Sequence, residues 1–111
     1  MMKKIALSTF RNRISSRLDS AEEIQLLILE NGQIKKREKI RIVPKSTLDK
    51  IHQIVELSPD VLICGGLTQL CNRKLLNTKI TVVPWTKGNA EDVFKQFLDG
   101  KLTESVTVAN Y

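Results

Sequence analysis

The stretch Val61-Leu62-Ile63-Cys64-Gly65-Gly66-Leu67-Thr68-Gln69-Leu70-Cys71 constrains the fold of this chain more than any other. Four apolar residues without alternation read as a strand buried on both faces. The two glycines that follow predict a sharp turn whose backbone stays open to whatever lies above it. A helix is expected from Leu67 to Leu76, because Leu67, Leu70, Cys71 and Leu75 fall on one face. A helix starting directly after such a turn leaves unpaired amides and a partial positive charge there, a candidate anion site.

The remaining elements frame that junction. Lys4 to Thr9 is a short apolar run and the first strand. Phe10 to Ser20 carries Arg11, Arg13 and Arg17 with no clean period, so a long loop is expected. Glu23 to Glu30 is the second strand, and Asn31-Gly32 predicts a type I′ hairpin turn. Ile34 to Val43 returns as the third strand, with Lys35, Lys36, Arg37, Lys39 and Arg41 suited to an edge protected from aggregation. The alternative reading of that strand is a docking patch for an acidic protein partner. Pro44 ends the strand, Ser46 caps helix one, and Leu48, Ile51 and Val55 form its apolar stripe. Lys79 to Val83 is the fifth strand, ended by Pro84. Asn89 caps helix three, which buries Val93, Phe94, Phe97 and Leu98 and ends at Gly100.

Three strands, then alternating helices and strands, define an α/β fold of three layers, α/β/α. Right-handed crossovers predict a five-stranded mixed sheet in the order 3-2-1-4-5, with strand 2 antiparallel. This topology is similar to ribonuclease H-like folds. One domain over residues 1–102 is expected, with a C-terminal tail at 103–111 that carries a short extended piece at Ser105 to Val108. Ligands in such sheets sit beyond the C-terminal ends of the parallel strands. The loops Thr9 to Ser20, Cys64 to Thr68 and Pro84 to Asn89 converge on that edge.

Composition narrows the function. No apolar run approaches the roughly 20 residues of a membrane span, and a cytoplasmic location is expected. A formal net charge of +6 favours anionic partners. Nucleic acid is disfavoured, because the few aromatic residues make no stacking platform. No nucleophile–base set can be assembled, since the single histidine, His52, falls on helix one. A two-metal nuclease is not expected either, because the first strand carries no acid and the fourth ends in Cys64. The protein therefore reads as a non-enzyme.

Two cysteines exclude a closed zinc site on ligand count. Cys71 lies on an apolar helix stripe, where a buried, inert thiol is expected. Cys64 closes its strand before the glycines and can face either the pocket or the core. The candidate binding residues are Arg11, Arg13, Arg17, Cys64, Gly65 and Gly66, with Cys64 the candidate metal ligand.

Several stretches resemble, in order, the dinitrogenase iron–molybdenum cofactor biosynthesis family with its NifX-like domain. They are Lys4-Ile-Ala-Leu-Ser, Asn12-Arg-Ile-Ser-Ser-Arg-Leu-Asp-Ser-Ala21, the hairpin after Asn31-Gly32, Val61 to Leu67, Ile80 to Trp85 and Ala90 to Leu102. The resemblance spans nearly all of residues 3–102. It implies a small ribonuclease H-like domain without catalytic residues that binds or carries anionic iron–sulfur or iron–molybdenum cluster precursors. Members often carry Ser-x-His-Phe-Gly in the first loop, whereas this chain reads Ser15-Ser16-Arg17-Leu18-Asp19. Arginine cannot ligate iron as imidazole does, but it can pair with an anionic cluster or a phosphate.

Overall fold

The computed structural model describes residues 2–42 and 46–100. Strand β1 (Met2–Phe10) runs through the centre of the molecule, and its residues Ile5 to Thr9 are buried. β1 pairs antiparallel with β3 (Glu23–Glu30), and β3 pairs antiparallel with β4 (Gln33–Arg41). On its other side β1 pairs in parallel with β5 (Val61–Ile63), and β5 in parallel with β6 (Thr81–Val83). The sheet path is β4-β3-β1-β5-β6.

Among the described residues the sheet has six strands, not five. Arg13–Ile14, placed in a loop by the sequence, forms the short strand β2 and folds back on β1, with Thr9 opposite Ile14 and Phe10 opposite Arg13. Arg11 and Asn12 make the turn, at φ 51° and 66°. Ile14 supplies the buried side chain that holds β2 down. A single apolar residue among arginines is too weak a periodic signal to announce a strand.

Alternation along the strands divides the core between two faces. Ala6, Ile24, Leu26, Leu62 and Cys64 point to one side, where they pack with Ile51 and Ile54 of α1 (Thr47–Glu56) and with Cys71 and Leu75 of α2 (Gln69–Leu76). Ile5, Leu7, Leu27, Leu29, Val61, Ile63 and Val83 point to the other, against Ala90, Val93 and Phe94 of α3 (Ala90–Leu98). Among the described residues, two helices cover one face and one helix the other.

Local signals explain the boundaries. Asn31 and Gly32 take the positive φ values, 54° and 81°, that a type I′ turn requires. Ser46 caps α1 by accepting from the Asp49 amide at 3.2 Å, and Asn89 caps α3 by accepting from Glu91 at 2.9 Å. The third strand was expected to reach Val43, but β4 ends at Arg41; Val43 and Pro44 lie outside the described residues, as does the tail from residue 101. A register shift opposite Ile28 and Leu29 leaves Lys35 as an extra residue, a bulge typical of an edge.

The helix after the glycines starts later than expected. Thr68 is the cap of α2, accepting from the Cys71 amide at 3.2 Å, so the helix begins at Gln69. Gly65 and Gly66 precede it as non-helical backbone. Their turn is therefore not the helix N-terminus that the sequence suggested.

Candidate functional site

The C-terminal ends of β1, β5 and β6 are stitched together by backbone hydrogen bonds between three loops. Ser15 donates to Ser8 O at 3.0 Å, Gly66 to Ser16 O at 2.8 Å, and Leu18 to Gly66 O at 2.9 Å. Trp85 donates to Gly65 O at 2.9 Å, Thr86 to Cys64 O at 3.0 Å, and Ile14 to Gly88 O at 2.9 Å. The first loop contains a 3-10 turn at Leu18–Ser20, and Leu18 drops into the core on the α1/α2 side. The Ser15 and Ser20 hydroxyls both donate to Arg17 O, at 2.7 and 2.9 Å. Lys50 of α1 donates from Nζ to the carbonyls of Asp19 and Ala21. The edge is thus a fixed scaffold.

Gly65 and Gly66 are required by close approach. Neither has the positive φ of a tight turn, unlike Gly32, Gly88 and Gly100. A Cβ on Gly65 would collide with Ser15 O and would lie 2.6 Å from Ser16 O. A Cβ on Gly66 would lie 2.9 Å from Cζ3 of Trp85. The pair lets one loop's backbone and one indole ring lie directly on the end of β5.

These loops surround an open cleft of about 550 Å³. Gly65, Gly66, Ser15 and Ser16 line it together with Ser20 and Ile14; Phe10, Trp85, Thr86 and Gly88 add further wall, and Arg13 and Lys87 bring two exposed cations. Trp85 is 56% exposed and has φ 61°; Phe10 is 39% exposed. The lining combines positive charge, hydroxyls, bare backbone and aromatic surface, which suits an anion of moderate size.

The predicted residues separate on this geometry. Arg13, Gly65 and Gly66 line the cleft. Arg11 does not; its guanidinium stands 5.3 Å from the Phe10 ring centroid and braces that ring. Arg17 is not a lining residue either. Its backbone bridges to Gly66, and its guanidinium pairs with Asp19 through Nη2 at 2.6 Å and Nε at 3.0 Å. Cys64, the candidate metal ligand, is 0% exposed and belongs to the core packed under α1 and α2. Burial, and then the neighbouring Cys71, push its thiol well above the ordinary range, so it remains protonated. Strand alternation sends Leu62 and Cys64 to the same side, into the core. Among the described residues no three His, Cys, Asp or Glu side chains gather to hold a metal ion, and no helix is long and apolar enough to cross a membrane. His52 is exposed on α1, away from the cleft lining.

Phe10, Trp85 and Lys87 were missed as site residues. The signal for the last two was present, since the loop from Pro84 to Asn89 follows a parallel strand. Phe10 likewise falls in the loop from Thr9 to Ser20, which follows the first strand to the same edge. Ser8 is a further feature: its Oγ is buried near the end of β1 with no hydrogen-bond partner among the described residues.

No protein-family profile and no curated protein matches this sequence. The fold, by contrast, is found among solved structures. The protein PH0822 superposes with a TM-score of 0.82 at 18% identity, covering 90% of this chain and 92% of its own. A protein of Methanocaldococcus jannaschii, provisionally described as a dinitrogenase, gives 0.75 at 18% identity, covering 93% and 94%. The apo form of the orange protein from Desulfovibrio gigas gives 0.74 at 15% identity, covering 93% and 92%. At these identities the likeness is one of fold.

Proposed function

We propose that this chain is a non-enzymatic binding or carrier domain for an anionic iron–sulfur or iron–molybdenum cluster precursor. The observation that carries the reading is the cleft itself, which sets Arg13 and Lys87 beside aromatic and glycine surface at the ligand edge of the sheet. Support also comes from the neighbours described as a dinitrogenase and as the apo form of an orange protein. The mixed sheet, covered by helices on both faces, serves here as a scaffold for binding.

The chemistry of holding differs from the sequence expectation. With Cys64 in the core, the cleft presents no thiol. The cargo is held as a preformed anion, by charge and hydrogen bonds, and brings its own sulfur ligands. Such binding is reversible and suits transfer to another protein.

An acidic protein partner at β4 is the second reading. It would compete with pairs already made within the chain: Lys35 with Glu30 at 3.4 Å, Lys36 with Glu38 at 2.7 Å, and Arg37 with Glu91 at 2.7 Å. This competition favours the cleft as the working surface.

The test is anaerobic incubation with a synthetic 4Fe–4S cluster dianion capped by thiolates, followed by gel filtration and iron analysis. Iron co-eluting with the wild type, and lost from the Arg13→Glu, Lys87→Glu double variant, supports the carrier role. A wild type that elutes free of iron refutes it.

A further inference from the structure

Trp85 is the single tryptophan of the chain. Its φ of 61° is a strained conformation for a bulky residue, of the kind that concentrates at binding sites. Its amide is held by Gly65 O, and its indole crosses Gly66, where even a Cβ would come within 2.9 Å of Cζ3 and 3.3 Å of Cη2. The ring thus rests on bare backbone, and more than half of the residue stays exposed at the cleft. Phe10 adds a second partly exposed ring to the lining.

An anion gains charge attraction from Arg13 and Lys87 whatever its surface. The aromatic surface discriminates. A phosphate or sulfate holds its water tightly and loses hydration against a ring without recompense. An anion faced with sulfide is polarisable, sheds water more readily and makes favourable sulfur contacts with the positive edge of the ring. We propose that Trp85 is a specificity-determining residue of the cleft, seating the sulfur-rich face of the anion and favouring it over oxyanions of similar charge. This inference rests on the carrier reading.

The experiment compares wild type, Trp85→Leu and Trp85→Phe by equilibrium dialysis, using the same thiolate-capped 4Fe–4S dianion and, separately, inorganic phosphate. Trp85→Leu is expected to bind the cluster about tenfold more weakly and phosphate within about twofold of wild type, while Trp85→Phe keeps most cluster affinity. The far-ultraviolet circular dichroism of both variants is expected to match wild type, because the ring is outside the core. Equal weakening for both anions, or none for either, overturns the assignment of Trp85 and leaves the carrier reading standing. A wild type that binds no cluster overturns the carrier reading and this inference together.

Discussion

The Gly66 amide donates to the Ser16 carbonyl at 2.8 Å, and Gly66 O accepts from Leu18 at 2.9 Å, which locks the first loop in parallel onto the end of β5. Gly65→Ala would drive a Cβ into the backbone oxygens of Ser15 and Ser16, neither of which is the free end of a side chain. It is expected to destabilise by roughly 3 kcal/mol. Gly66→Ala meets mainly the Trp85 side chain rather than backbone, and is expected to cost less, about 1 kcal/mol. Denaturant unfolding measures both, and Gly66→Ala should also shift the Trp85 emission.

Cys64 and Cys71 are both buried. Neither is expected to react with a thiol reagent in the native protein, and both should react once it is unfolded. Cys64→Ala is expected to cost about 1 kcal/mol through lost packing, and to retain the cluster dianion as wild type does. A variant that folds but retains no iron would restore Cys64 as a ligand.

Ser8 offers the reverse case. Its hydroxyl is buried without a partner, so Ser8→Ala removes a desolvated polar group and little volume. The variant is expected to be as stable as wild type or more stable by about 1 kcal/mol. A clear loss of stability in denaturant would show that the hydroxyl has a partner in solution.

The arginines should separate by role. Arg13→Glu is expected to weaken binding of the cluster dianion about tenfold, the scale of one charge-assisted contact. Arg17→Ala is expected to change it less than about twofold, because that guanidinium is occupied by Asp19. Equilibrium dialysis at one fixed salt concentration distinguishes the two.

Glu91 links α3 to the edge strand. The hydrogen bond from Arg37 holds its carboxyl below the ordinary carboxylate range, helped by the charges of Arg37, Lys95 and Lys39 against partial burial. A lowered folded-state value stabilises the protein above the unfolded carboxylate range, and that contribution is lost as pH falls through the folded value. Both side chains are about half exposed, so Glu91→Gln should cost less than about 1 kcal/mol near neutral pH. The difference from wild type should vanish in acid and shrink in high salt, as read from denaturation midpoints.

Residue patterns determined most of the fold. The unbroken apolar run from Val61, the Asn31-Gly32 turn and the caps at Ser46 and Asn89 are local signals, and each element they announced is present. Arg13–Ile14 escaped because a two-residue strand depends on what it pairs with. Only the tertiary structure decided the site. Gly65 and Gly66 were legible as unusual, but their reason is the approach of Ser16 and Trp85, residues distant in sequence. Cys64 was ambiguous because its position at the end of a strand does not say whether the last side chain turns to solvent or core. The packing of Leu62 and Cys64 against α1 and against Cys71 of α2 answered that. Charge was visible from the start, but which cations line the cleft was decided by the loops, which set Arg13 and Lys87 along it and turn the Arg17 guanidinium to Asp19.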